Sequence, residues 1–181
     1  MSRIEHRVRQ AGVYFVTTDT WQRRAVFRKA NAAGIVVDQL LECRERGFYK
    51  LHAFVLMPDH LHVLLTPAVD TSLEKVMQMI KGGSSYRIKK ELLYQFPVWH
   101  AGFHDRWMRD QGEYQARFQY LLRNPVAVRL VSKPVEYPWG SATGKWQMDP
   151  TQFEADPSGA KAQGVSQVNV AAKAATYKPS H

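Results

Sequence analysis

The sequence predicts an α+β fold of the ferredoxin-like type, a sandwich with a central antiparallel sheet and helices on one or both faces. Three observations predict it. Strand-like and helix-like segments follow one another as βαββα, two apolar runs flank a Pro-Asp pair as a hairpin would, and two amphipathic stretches are long enough to cover a sheet.

Each element has its own warrant. Gly12 to Thr20, GVYFVTTDT, is β-branched and aromatic, which favours a strand. Lys29 to Arg46 carries Ile35, Val36, Leu40 and Leu41 near helical spacing and closes at Gly47. FYKLHAFVLM and HLHVLLT then flank Pro58-Asp59, whose residue types suit a tight turn. A second helix begins at TSLE, where Thr71 and Glu74 have capping-box spacing, and runs to about Tyr94. Val98 to Arg109 supplies a further strand. Asp110 with Glu113 starts a short last helix, and Asn124-Pro125 stops it, because a residue before proline avoids the helical region. Trp99, Trp107 and Trp139 are expected to fill the core.

From Thr151 onward bulky apolar residues nearly vanish, so residues 1–150 are expected to form one folded domain and 151–181 a disordered tail. The single cysteine, Cys43, excludes an intramolecular disulfide and a thiolate metal cage. The start, MSRIEHRVRQ, is too charged for a secretory signal, and no apolar run approaches the roughly 18 residues of a membrane span. The expected localisation is cytoplasmic, with no membrane partner.

Charge narrows the partner. Twenty-five Lys+Arg against 16 Asp+Glu give +9 at pH 7, which favours a polyanion, with nucleic acid the leading candidate and a merely basic protein the alternative. The tail holds three lysines and two acids, so the excess belongs to residues 1–150.

Two places carry chemistry. On a strand, residues two apart share a face, so His60 and His62 project side by side; spacing alone fits either a cation held between them or satisfied structural histidines. On the last helix Tyr114, Phe118, Leu121 and Leu122 form an apolar stripe about 100° wide. Tyr120 falls outside it, about 120° from Tyr114, in the sector of Glu113, Arg117 and Asn124, either as a surface aromatic or as a presented phenol. Tyr114, in the stripe, is the losing candidate for a nucleophile.

Taken together, Met57-Pro58-Asp59-His60-Leu61-His62, the stretch WHAGFHDRWMRD, Tyr120 followed by Leu121-Leu122-Arg123-Asn124-Pro125-Val126, and EYPWGSA (136–142) resemble the HUH transposases with a single catalytic tyrosine. Within them the pattern is similar to the REP-associated tyrosine transposases, over roughly residues 10 to 145. The resemblance implies that residues 1–150 are the catalytic domain of a single-stranded DNA endonuclease and strand transferase. It implies that Tyr120 attacks the phosphate to give a 5′-phosphotyrosine, and that His60, His62 and Asn124 hold a divalent cation, Mg²⁺ or Mn²⁺. In related insertion-sequence enzymes the third ligand is a glutamine, so Asn124 is a shorter arm. The substrate it implies is single-stranded or hairpin DNA of repeat elements, which would make the protein nucleoid-associated when bound, as a monomer or homodimer. A free phenol is only about a thousandth ionised at neutral pH, so a nearby cation has to assist; Arg117 is a local candidate beside the metal. A domesticated, inactive hairpin-binding regulator is the alternative that the same residues leave open.

For DNA contacts, KGGSSYRIKKEL gathers Lys81, Arg87, Lys89 and Lys90 with small residues that allow close backbone approach. Its Tyr86 reads first as packing. The N-terminal arm carries Arg3, Arg7 and Arg9, suited to a groove or the foot of a hairpin.

Overall fold

Alternation of side chains along three neighbouring strands builds the centre of this protein. The computed structural model describes residues 11–153. In chain order these form β1 (Tyr14–Asp19), α1 (Ala30–Glu45), β2 (Tyr49–Met57), β3 (His60–Pro67), α2 (Leu73–Leu92), β4 (His104–Trp107) and α3 (Gln111–Ala127). The sheet order is β2-β3-β1-β4 and every neighbouring pair is antiparallel, the ferredoxin-like arrangement the sequence predicts.

Helices cover both faces. Tyr14, Val16, Leu61, Val63 and Leu65 point into one core with Val36 and Leu40 of α1 and Val76 and Ile80 of α2. Val13, Phe15, Val55, Met57 and Leu64 point the other way, into a smaller core closed by Tyr114 and Leu121 of α3. A bulge between Leu51 and Ala53 lets β2 keep this division, its extra residue His52 bonding Thr66 Oγ1 at 2.8 Å. The outer edge of β2 is also covered: the Leu56 amide donates to Trp139 O at 2.8 Å, and Tyr137 Oη donates to Leu56 O. Covering removes an unpaired edge.

Several boundaries differ from the sequence expectation. The strand expected over Val98 to Arg109 is only β4, with Trp99 making an isolated bridge to Thr20. The cap of α2 is Ser72, whose hydroxyl accepts from the Lys75 amide, not Thr71. α3 does not stop at Asn124 but continues through Pro125 to Ala127. The Val128 amide still reaches Asn124 O at 3.3 Å, and Pro125 is buried, so packing outweighs the lost donor. Trp99 is buried as expected, whereas Trp107 and Trp139 are partly buried against the core. Thr151 is buried and Phe153 stacks on Tyr114 at 5.5 Å, so packed chain continues to Phe153. Among the described residues no helix is long and apolar enough to cross a membrane.

Two of the small residues in this stretch, Gly83 and Ser84, pack inside the helix layer. A Cβ on Gly83 would sit 2.5 Å from the Gln39 side chain of α1, while Gly82 faces open space. Ser84 is fully buried and accepts from Trp99 Nε1 at 3.0 Å. Gly83→Ala should leave unfolding free energy within about 1 kcal/mol of wild type, because the helix-propensity gain offsets the cost of moving the flexible Gln39 amide off Met79 O. Gly82→Ala should raise it by about 0.5–1 kcal/mol through helix propensity. Urea midpoints at unchanged slope measure both.

Candidate active site

The pairing of β1 with β3 sets Thr17 opposite His62 and Asp19 opposite His60. Both imidazoles lie on the α3 side of the sheet, their rings 4.7 Å apart. Each is oriented by one nitrogen. His60 Nδ1 meets Asp59 Oδ1 at 2.7 Å, and His62 Nδ1 meets Thr17 Oγ1 at 2.8 Å. The Nε2 atoms then face away from these partners, that of His62 toward Asn124, the usual arrangement when an outer partner fixes the tautomer.

Asp59 is itself held. Its second oxygen lies 3.1 Å from Arg23 Nε, and Arg23 also bonds Asp19. A chain of alternating charge therefore runs from β1 to the hairpin tip and ends on His60.

α3 brings the remaining groups. Tyr114 and Leu121 are fully buried and press the helix onto the sheet, which turns Tyr120 and Asn124, one turn apart, toward the histidines. Asn124 is buried with Nδ2 3.4 Å from His62 Nε2. Tyr120 stays 48% exposed, yet its ring centroid is 5.4 Å from His62 and 6.1 Å, edge-on, from Phe15. It is exposed and adjacent at once. Phe15 stacks on His62 from beneath, and the Arg117 guanidinium lies 5.5 Å above the Phe15 ring. The start of α3 is tied down by Glu113, which accepts from the Arg109 amide and binds both the Arg106 and Arg109 side chains. The Arg109 amide, ahead of the guanidinium groups, draws its carboxyl down to about 2.

Burial pushes His62 down to about 3, with His60, Arg23 and Arg117 adding to the effect and Asp59 opposing it. The ring is neutral at physiological pH. Among the described residues no three His, Cys, Asp or Glu side chains gather as a cation site. The donor set is two imidazoles and an amide, without carboxylate or thiolate. It fits a divalent cation that keeps open positions and its full charge for an anionic substrate.

The other expected contacts divide. Arg117 stands at the site. Lys81, Arg87, Lys89 and Lys90 are on α2, which packs on the opposite face of the sheet. Lys81 donates to His100 O and Gly102 O, so its ammonium holds that loop, and burial lowers its proton affinity. Arg87 is engaged by Glu91 and Asp38. Lys89 and Lys90 are exposed, as is Tyr86, expected to pack, with Lys90 Nζ 5.8 Å over its ring. Arg3, Arg7 and Arg9 lie outside the described residues.

Sequence reasoning missed Thr17, Asp59 and Arg23. Asp59 reads as a turn residue, and nothing local marks Thr17 as the neighbour of His62. The strand register alone brings them together.

A family model described as "Transposase IS200 like" matches residues 11–109, which contain both histidines and end before α3. None of the curated proteins matches the chain. Among solved structures, a REP-associated tyrosine transposase bound to a REP hairpin is similar, at 18% identity and a TM-score of 0.64. That match covers 91% of this chain and 100% of the other. A putative transposase from Deinococcus radiodurans R1 is 20% identical, covering 68% of this chain and 97% of its own, with a TM-score of 0.48.

The depressed His62 gives a pH prediction for the metal-free protein. An unfolded imidazole takes its proton near 6.5 and the folded one only near 3, so stability is full above 6.5 and falls as pH drops between those values. His62→Gln should remove that part of the slope in urea denaturation at stepped pH.

Proposed function

The chain belongs to the IS200-like transposase family, and from that premise we propose that it is a metal-dependent endonuclease and strand transferase for single-stranded DNA. The observation that carries the reading is that Tyr120, His60, His62 and Asn124 meet on one sheet face and all come from one chain. The REP hairpin bound by the similar transposase supports a hairpin-bearing substrate. In this proposal residues 1–150 are the catalytic unit, and the substrate puts the activity in the cytoplasm, at the nucleoid.

Tyr120 Oη attacks phosphorus in line with the bond to the 3′ oxygen. The P–O bond to tyrosine forms as the P–O3′ bond breaks. The phenol gives up its proton and the leaving oxygen takes one up, so the products are a 5′-phosphotyrosine and a 3′-hydroxyl. Attack by the 3′-hydroxyl of another strand reverses the step and joins DNA without nucleotide hydrolysis. His60, His62 and the Asn124 amide would hold Mg²⁺ or Mn²⁺, which when bound supplies Lewis-acid polarisation of the scissile phosphate and charge that favours phenolate. Asp59 and Thr17 keep the two imidazoles presenting Nε2. Arg117, one turn before Tyr120, adds positive charge beside both the nucleophile and the phosphate.

Denaturing gels of labelled hairpins test this. Wild type with Mn²⁺ or Mg²⁺ should form a covalent protein–DNA adduct, Tyr120→Phe none, and Tyr114→Phe an undiminished amount. Tight hairpin binding by wild type without adduct would instead make the protein a non-cleaving regulator. Removing the carboxylate behind His60 in Asp59→Asn should weaken Mn²⁺ binding about 10–100-fold by titration calorimetry.

A further inference from the structure

We propose that Trp21, Arg24 and Phe96 form a stacking site for an unpaired base of single-stranded DNA, at the sheet end next to the cleavage centre. The identity of the strand rests on the function proposed above; the site itself rests on separate residues.

The turn after β1 is firmly seated. Thr20 donates its amide to Asp59 O at 2.9 Å, and its hydroxyl lies 2.8 Å from Arg24 O. The Trp21 amide donates to Val98 O. Gln22 and Arg23 both take left-handed backbone, φ 54° and 55°, a conformation that non-glycine residues adopt only where surroundings enforce it. This enforced turn sets Trp21 face to face with Phe96, centroids 6.3 Å apart and planes 12° from parallel. The Arg24 guanidinium lies against both rings, 4.8 Å from Trp21 and 4.2 Å from Phe96.

Packing does not account for these rings. Neither belongs to either hydrophobic core, and Phe96 is 48% exposed. Nor does charge pairing account for the cations around them. Residues 20–37 contain Arg23, Arg24, Arg28 and Lys29 and no acid. Arg23 is bound to Asp19 and Asp59, but among the described residues Arg24, Arg28 and Lys29 have no carboxylate within 4 Å. A cavity of about 230 Å³ opens beside Arg24, between Lys29 at the start of α1 and Leu92 and Tyr94 at the end of α2.

An aromatic pair capped by the Arg24 guanidinium, with Lys29 lining the cavity beside it, complements a base and its phosphates; an acidic or purely apolar partner would use only half of it. The position also fits a strand passing through the centre. Arg23, in the same turn, contacts the Asp59 that orients His60, and Trp21 is two residues, at most about 7 Å of chain, beyond the Asp19 that faces His60.

The test uses the full chain and fluorescence anisotropy with hairpins that are blunt or carry six unpaired nucleotides on the 5′ or the 3′ side. Wild type should bind one extended hairpin more tightly than the blunt one. Trp21→Ala and Phe96→Ala should each lose about 5–100-fold on the extended hairpin, leave the blunt one unchanged, and recover in Phe96→Tyr. An abasic nucleotide at the stacked position should reproduce the loss in wild type and add nothing to Trp21→Ala. Variants that bind the extension as wild type does, or that lose blunt and extended hairpins equally, would overturn the proposal. Wild-type adduct formation separates the two readings: extension-dependent binding that needs Trp21, with no adduct from wild type, keeps the stacking site and rejects cleavage. Adduct formation with an extension effect indifferent to Trp21 does the reverse.

Discussion

The register of β3 between β1 and β2 is the constraint on which everything else depends. Leu61, Val63 and Leu65 fill the core under α1 and α2, and the two-residue period then sends His60, His62 and Leu64 to the other face. A slip of one residue would drive two imidazoles into the larger core and turn Leu61, Val63 and Leu65 out of it toward α3. The same apolar burial that stabilises the sheet therefore aims the histidines.

Burying His62 would be unfavourable without partners. Thr17 and Asn124 supply them, one from the neighbouring strand and one from the covering helix, and Phe15 gives the ring an apolar floor. α3 does this while leaving Tyr120 half exposed, because the residues that anchor it, Tyr114 and Leu121, occupy a different sector of the helix from Tyr120 and Asn124. Glu113 fixes where the helix begins, and buried Pro125 lets it run on past Asn124. Asn124 thus lies inside the last turn of the helix, its carbonyl accepting from the Val128 amide.

Positive charge is distributed by surface rather than by sequence cluster. The lysine-rich run of α2 looks in one dimension like the DNA face, yet two of its four cations are engaged internally and all lie across the sheet from the histidines. The turn after β1 looks unremarkable in sequence, and its arginines reach the hairpin tip, the partly buried Trp21 ring and the exposed Phe96 ring.

The sequence by itself determined the βαββα order, the sharing of a face by His60 and His62, and the separation of Tyr120 from the apolar stripe of its helix. These follow from periods of 2 and 3.6 residues, which are local properties of the backbone. Only the tertiary structure decided that α3 lies across the histidine face, that Thr17, Asp59 and Arg23 complete the arrangement, and that Phe96 meets Trp21 from 75 residues away in the chain. Such contacts depend on strand register and on which sheet face each helix covers, and both are settled by the fit of two cores that no local period encodes.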